Sequence, residues 1–442
     1  MTRRVFASIP FLVAFALASA SSLTPAPSSA APPSAPPSDN VPEPPEVEAP
    51  IVLTNATIHV GDGTVINGGS ILIEAGMITR VEAAPITGVP QAVIVDLEGK
   101  LLTPGLIAAD TELGLVEISA VDSTHDDVRE DDQAIRAGYD PASAVNADSS
   151  LLAVQAIDGV TAAAVAPRGG LLSGKVAWID LLAGDHAQIV AAAGVSVVAN
   201  FGRSVAGSRA ASLTAMRRAF EDAAWYRANL RAYNRGQARE LVAHPFDLRA
   251  LWPVLDAAVP LVVRAHRASD LLALVELKEN LAIDITVVGG TEAWKVREQL
   301  AAAGIIVIVQ PTHNLPGSFE TLGARLDNAA LLHEAGVTVA IAHFGSHNAR
   351  NITQEAGIAV ANGLPREAAL AAVTINVARA YGMDREYGTI AVGKVGSVVV
   401  WDGPDPFEFS TAAEQVYVRG RKLDMRSRQT QLRDRYMDLD RF

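Results

Sequence analysis

From residue 51 the chain alternates short apolar runs with polar punctuation: IVLTNATIHVGDGTVI, then GGSILIEAGMITRVEA, then AVIVDLEGKLLTPG. Runs rich in Ile, Val and Thr, broken by Gly and Asn, predict strands joined by tight turns. The same texture returns near the other end in GTIAVGKVGSVVVWDG and AEQVYVRGRKL. Two strand-rich pieces separated by a long middle predict one small sheet domain completed by both ends of the chain, over residues 51–103 and 386–424. In the middle, the runs VSVVANFG, VPLVVRAH, IDITVVGG, GIIVIVQP and GVTVAIAH are nearly continuous in Val, Ile and Ala. Strands buried on both faces read this way, and the segments between them carry helical spacing, so residues 104–385 predict a parallel α/β domain. Periodicity alone suits a barrel and a doubly wound sheet equally. The stretch from Ser208 to Gly236 predicts a long polar helix, and residues 425–442 a charged amphipathic terminal helix facing solvent.

A chain of 442 residues that is 49% hydrophobic can bury a substantial core. The net charge of -13 and the lack of any basic stripe exclude a nucleic-acid partner. The absence of cysteine excludes disulfides, thiolate metal sites, a cysteine nucleophile and a lipoprotein anchor. At the start, Arg3 and Arg4 precede an apolar run from Val5 to Ala18, and ASA ends at Ala20. This predicts a signal peptide over residues 1–20, whose apolar run is too short for the roughly 20-residue span a bilayer needs. TRRVFAS also resembles a twin-arginine export signal. Residues 21–50, rich in Pro, Ser and Ala, predict a tether that buries no core. The expectation is a periplasmic protein with no membrane span once the signal is removed.

Motifs choose between the two architectures. ATIHVGDGT, GKLLTPGLI, GVTAAAVAPRGG from Gly159 and GTIAVGKVGSVVVWDG occur in the order of the landmarks of the amidohydrolase superfamily, which this chain resembles across nearly all of Ile51 to Leu423, most of all its exported imidazolonepropionase-like and dipeptidase-like members. The resemblance implies a (β/α)8 TIM barrel with a small β-sandwich built from both ends of the chain. It also implies hydrolysis of C–N bonds (amide, cyclic amide or dipeptide-like) at the C-terminal ends of the barrel strands. There, one or two divalent cations such as zinc or manganese would generate a hydroxide from bound water.

The ligand positions are where this chain departs. Asp110 and Glu112 stand where the family carries His-x-His on strand one, and two residues apart on a strand they are expected to point the same way. RAHRAS puts Arg264, a permanent cation, at the strand-five ligand position, with His266 two residues on. VVGGTEAW puts Gly289 at the strand-six position, and VAIAHFGSHNAR on strand eight contains no Asp. No metal ligand set is assigned. Arg264 beside Asp110 and Glu112 is expected to make a charge-satisfied pocket, the guanidinium standing where an inorganic cation would be. A divalent metal enters only if His266, His313, His343 and His347 rebuild a centre with the two acids. The chain also lacks a G-x-S-x-G elbow, a G-x-G-x-x-G turn and a P-loop. Two function classes therefore stand beside each other. One is a non-catalytic scaffold that binds a small-molecule or peptide-like ligand, alone, as a homo-oligomer or with an active paralogue; the other is a hydrolase with a rebuilt mononuclear site. A structural or interaction protein is a third reading, with no motif behind it.

Overall fold

The computed structural model describes residues 49–128 and 133–437. The expected signal peptide lies outside them, as do nearly all of the tether and the end of the terminal helix. Five strands from the N-terminal side, Ile51–His59, Val65–Glu74, Met77–Glu82, Val93–Asp96 and Leu101–Pro104, join three from the C-terminal side, Val398–Trp401, Ala413–Val418 and Arg421–Lys422, in one eight-stranded sheet. The two ends of the chain meet where Leu101–Pro104 pairs antiparallel with Val398–Trp401. Its apolar face buries Leu53, Ile58, Ile71, Leu102, Val398 and Tyr417. Alternating strands therefore find their partner strands more than 290 residues away, as the matching textures of the two ends predict.

A second eight-stranded sheet makes the barrel: in chain order Leu106–Thr111, Val160–Val165, Leu172–Asp180, Val190–Asn200, Leu261–Ala265, Ile285–Gly289, Ile306–Val309 and Val339–Ile341. Each strand pairs with its sequence neighbour, and seven run parallel. The third runs antiparallel to both of its neighbours, which corrects the all-parallel expectation. The turns on either side of it are too short for a helical crossover, so the chain must reverse direction twice there.

Period two sorts each barrel strand between two cores. Ile107, Ala109, Ala162, Ala164, Trp178, Val262, Val288, Ile308 and Ala340 fill the interior. Leu106, Ala108, Val165, Val263, Val287, Val307 and Ile341 pack outward against the helices, among them Arg209–Ala228 and Ala268–Leu281. The small interior residues of strands one, two and eight leave room for three rings. Trp178 stands 5.1 Å from Tyr387 and 6.2 Å from Tyr381, centroid to centroid. The helix Ile375–Ala380 and its flanks seal the end where the parallel strands begin: the Ile107 amide donates to the Val373 carbonyl, Asn376 to the Val339 carbonyl and Thr286 to the Ala380 carbonyl. The opposite end, where the parallel strands finish, is the mouth. The terminal helix Arg428–Met437 buries none of its residues. Among the described residues no helix is long and apolar enough to cross a membrane.

Candidate functional site

Strand one does not deliver Asp110 as a regular strand would. Ala108 pairs with Ala163 but Thr111 pairs with Val165, so the ladder slips between them, and Asp110 takes a left-handed φ of 51°. Aspartate tolerates that conformation better than most residues, and bulges of this kind re-aim side chains beside functional sites. Released from the ladder, the Asp110 amide donates to the Tyr381 hydroxyl at 3.1 Å. The expectation that Asp110 and Glu112 share one strand face is thereby corrected. Asp110 sits in the bulge and Glu112 lies just past the strand end, and a shared partner brings them together.

That partner is Arg168, in the loop after strand two. Its Nη1 donates to Asp110 Oδ2 at 2.8 Å, its Nη2 to the Asp110 carbonyl at 2.7 Å, and its Nε pairs with Glu112 Oε1. Arg264, on strand five, grips Asp110 from the other side: Nε lies 2.9 Å from Oδ2 and Nη2 2.5 Å from Oδ1. Its remaining donors go to the Pro167 carbonyl at 3.1 Å and Asn200 Oδ1 at 3.3 Å. Glu112 Oε2 accepts from the Ser346 hydroxyl at 2.5 Å, and the Glu112 amide donates to the same hydroxyl at 2.9 Å. Arg264 thus reaches Asp110 as expected but not Glu112. Asp110 is only 2% exposed. Burial pushes its carboxyl up, but Arg168 and Arg264 outweigh that and hold it below the usual carboxylate range. The same acids hold the Arg168 guanidinium above its ordinary value against the pull of burial.

The other expected residues lie around the rim. The Gly289 backbone has a left-handed φ of 99°, and a Cβ there would come within 2.5 Å of the His266 ring. The space a side chain at 289 would occupy is filled by the His266 imidazole, whose Nδ1 bonds Thr291 Oγ1 at 2.8 Å. His266, Gly289, Thr291, Gln310, His313 and Phe344 surround a cavity of about 10 Å3, room for roughly one water. Burial lowers the pKa of both His266 and His313, and each of these rings feels a further downward push from a neighbouring histidine. His343 accepts from the Gly345 amide at 3.2 Å through Nδ1. His347 is exposed, its carbonyl accepts from Gln155, and it is not among the residues around that cavity.

This donor set does not suit a divalent cation. Both Asp110 oxygens accept from guanidinium groups, both Glu112 oxygens are engaged, position 264 carries a cation, and position 289 offers no side chain. Among the described residues no group of three or more His, Asp or Glu side chains is arranged to hold a metal ion. Arg168, Ser346 and Tyr381 were not foreseen from the sequence. The available signal was APRGG: one arginine at the end of a barrel strand, beside two acids at the end of the adjacent strand.

A model of the amidohydrolase family, Amidohydro_3, matches residues 295–423. An amidohydrolase of Hapsidospora irregularis, tasK, is 25% identical over 393 residues, covering 80% of this chain and 39% of that protein. An imidazolonepropionase of Shouchella clausii is 34% identical over 112 residues, 24% of each chain. This chain thus spans about two fifths or less of the length of these curated relatives. Among solved structures, an amidohydrolase from Thermotoga maritima superposes with a TM-score of 0.75 at 24% identity, covering 85% of this chain and all of the other.

Proposed function

We propose that this chain, which belongs to the amidohydrolase superfamily, keeps the scaffold of a C–N bond hydrolase, has exchanged the cation at the barrel mouth for the guanidinium groups of Arg264 and Arg168, and serves as a metal-independent receptor for a small-molecule or peptide-like ligand. The observation that carries the reading is Asp110, buried and gripped on both oxygens by two arginines. A guanidinium neutralises a carboxylate as a metal does, but it has no coordination position for water and does not deprotonate. In a metal-dependent hydrolase the hydroxide forms at neutral pH because the metal lowers the pKa of bound water, and neither guanidinium of the Asp110 cluster supplies that. The names of the relatives support amides and cyclic amides as the ligand class to try first. Export to the periplasm belongs to the same proposal, on the strength of the signal-like N-terminal sequence.

A second reading, an active hydrolase with a relocated mononuclear metal, has one observation in its favour: burial keeps His266 and His313 in the neutral form that ligates. The two are separated by assaying the full chain against amides, cyclic imides and dipeptides, with and without added zinc or manganese, alongside ligand-induced shifts in melting temperature. The receptor reading expects stabilisation by at least one compound class with no turnover. Metal-stimulated turnover that disappears in Asp110→Asn or His266→Gln would replace it with the hydrolase.

A further inference from the structure

Hydrogen-bond capacity is unevenly spent in the mouth cluster. A guanidinium has five N–H donors. All five of Arg264 are used: Nε on the Asp110 carboxylate, Nη1 on Pro167 O and Asn200 Oδ1, Nη2 on Asp110 Oδ1 and Pro167 O. Its side chain is only 14% exposed, and its carboxylate partner 2%. Arg264 and Asp110 are therefore a closed internal pair. Glu112 is also spent, one oxygen on Arg168 and the other on Ser346. Arg168 differs. Among the described residues its contacts use Nε and one N–H on each terminal nitrogen, so two N–H groups remain, and its side chain is 24% exposed at the mouth.

We infer that Arg168 is the ligand-facing cation of this site, and that the group it receives is a carboxylate. The inference rests on the receptor reading above and names the chemistry of its ligand. Two reasons select a carboxylate. Unspent donors of a permanent cation that is only 24% exposed make their strongest hydrogen bonds to a charged acceptor such as a carboxylate. In addition, Arg264 shares the charge of Asp110, so among the described residues Arg168 is left with Glu112 as a full counter-charge beside its share of Asp110, and a carboxylate entering opposite Glu112 makes an acid–guanidinium–acid bridge. An uncharged amide oxygen would gain the hydrogen bond without the charge.

A matched pair of probes tests this: N-acetylglycine, which carries a carboxylate, and N-acetylglycinamide, which does not, titrated calorimetrically into the full chain. The carboxylate is expected to bind, about tenfold or more weakly in Arg168→Gln and with partial recovery in Arg168→Lys, which restores charge without the fork. Because Arg168→Gln also removes a partner of Asp110, Glu112→Gln gives an independent arm. It removes the competing negative charge and is expected to tighten carboxylate binding several-fold. Equal binding of the amide, unchanged affinity in a folded Arg168→Gln variant, or weaker binding in Glu112→Gln overturns the assignment to Arg168 while leaving a receptor in place. Silence from both probes overturns it too, and silence from a wider set of amides, cyclic imides and dipeptides takes the receptor reading with it.

Discussion

The two ends of the barrel each bury an aspartate against arginine, with opposite results. At the mouth, Asp110 meets two guanidinium groups, every oxygen is engaged, and the carboxyl is held low. At the sealed end, Asp180 finishes the antiparallel third strand and has no exposure at all. Its Oδ2 accepts from Arg419 at 3.1 Å and from the Tyr387 hydroxyl at 3.2 Å, while its Oδ1 has no hydrogen-bond partner among the described residues. There burial wins over Arg419, and the carboxyl is pushed up to about 6. The lesson is that burial beside one cation does not fix an acid in its charged form. A second cation and complete donor satisfaction do. The mouth is built to keep its charges permanently, and the sealed end is not.

The sharpest way to break the contrast is to remove the inner cation of the mouth. Arg264→Met leaves Asp110 buried with one partner and is expected to lower unfolding free energy by about 3–5 kcal/mol, measured by denaturant titration at neutral pH. Next comes the pH dependence, whose sign differs at the two ends. Asp180 titrates near 6 when folded and near its ordinary value of 3.8 when unfolded, so the native state binds the extra proton between those values. Its contribution is full at low pH and is lost as pH rises toward 6, of order 3 kcal/mol in all. Asp110 runs the other way. Its folded pKa is lowered, so its contribution is present above its unfolded value and is lost as pH falls below about 4. Melting curves from pH 3 to 8 should show both slopes, with Asp180→Asn flattening the upper one and leaving the lower.

A smaller effect is expected for Arg168→Met, about 1–3 kcal/mol, because the outer guanidinium is partly exposed and Asp110 retains Arg264. A loss as large as that of Arg264→Met would mean that the two cations are not divided into an inner and an outer one. Smallest is Gly289→Ala, about 1–2 kcal/mol, from a methyl driven into the His266 ring at a left-handed backbone position. The same variant should free the His266 imidazole from Thr291, visible as a changed histidine titration by NMR.

Much of this was legible in the residues. The period-two runs at both ends located the strands that pair as Leu101–Pro104 and Val398–Trp401, and the GTEA register placed Gly289 at the mouth. Arg264 was recognisable as a cation facing Asp110. What the sequence hid was geometry between distant segments. The bulge that turns Asp110 inward depends on the pairing slip against strand two, which no local pattern announces. The role of Arg168 depends on neighbouring strands, and Ser346 reaches Glu112 across 234 residues. The reversal of strand three was equally hidden, because a buried antiparallel strand and a buried parallel one share the same apolar texture.

We propose that side-chain cations have taken the place of an inorganic one. The most direct test is elemental mass spectrometry on the full chain, purified without chelators or an affinity metal column and then incubated with zinc and with manganese. Wild type is expected to hold less than about a tenth of an equivalent of either metal, since Arg168 and Arg264 occupy the oxygens a metal would need. Near-stoichiometric metal, lost on replacing Asp110 or Glu112, would contradict it.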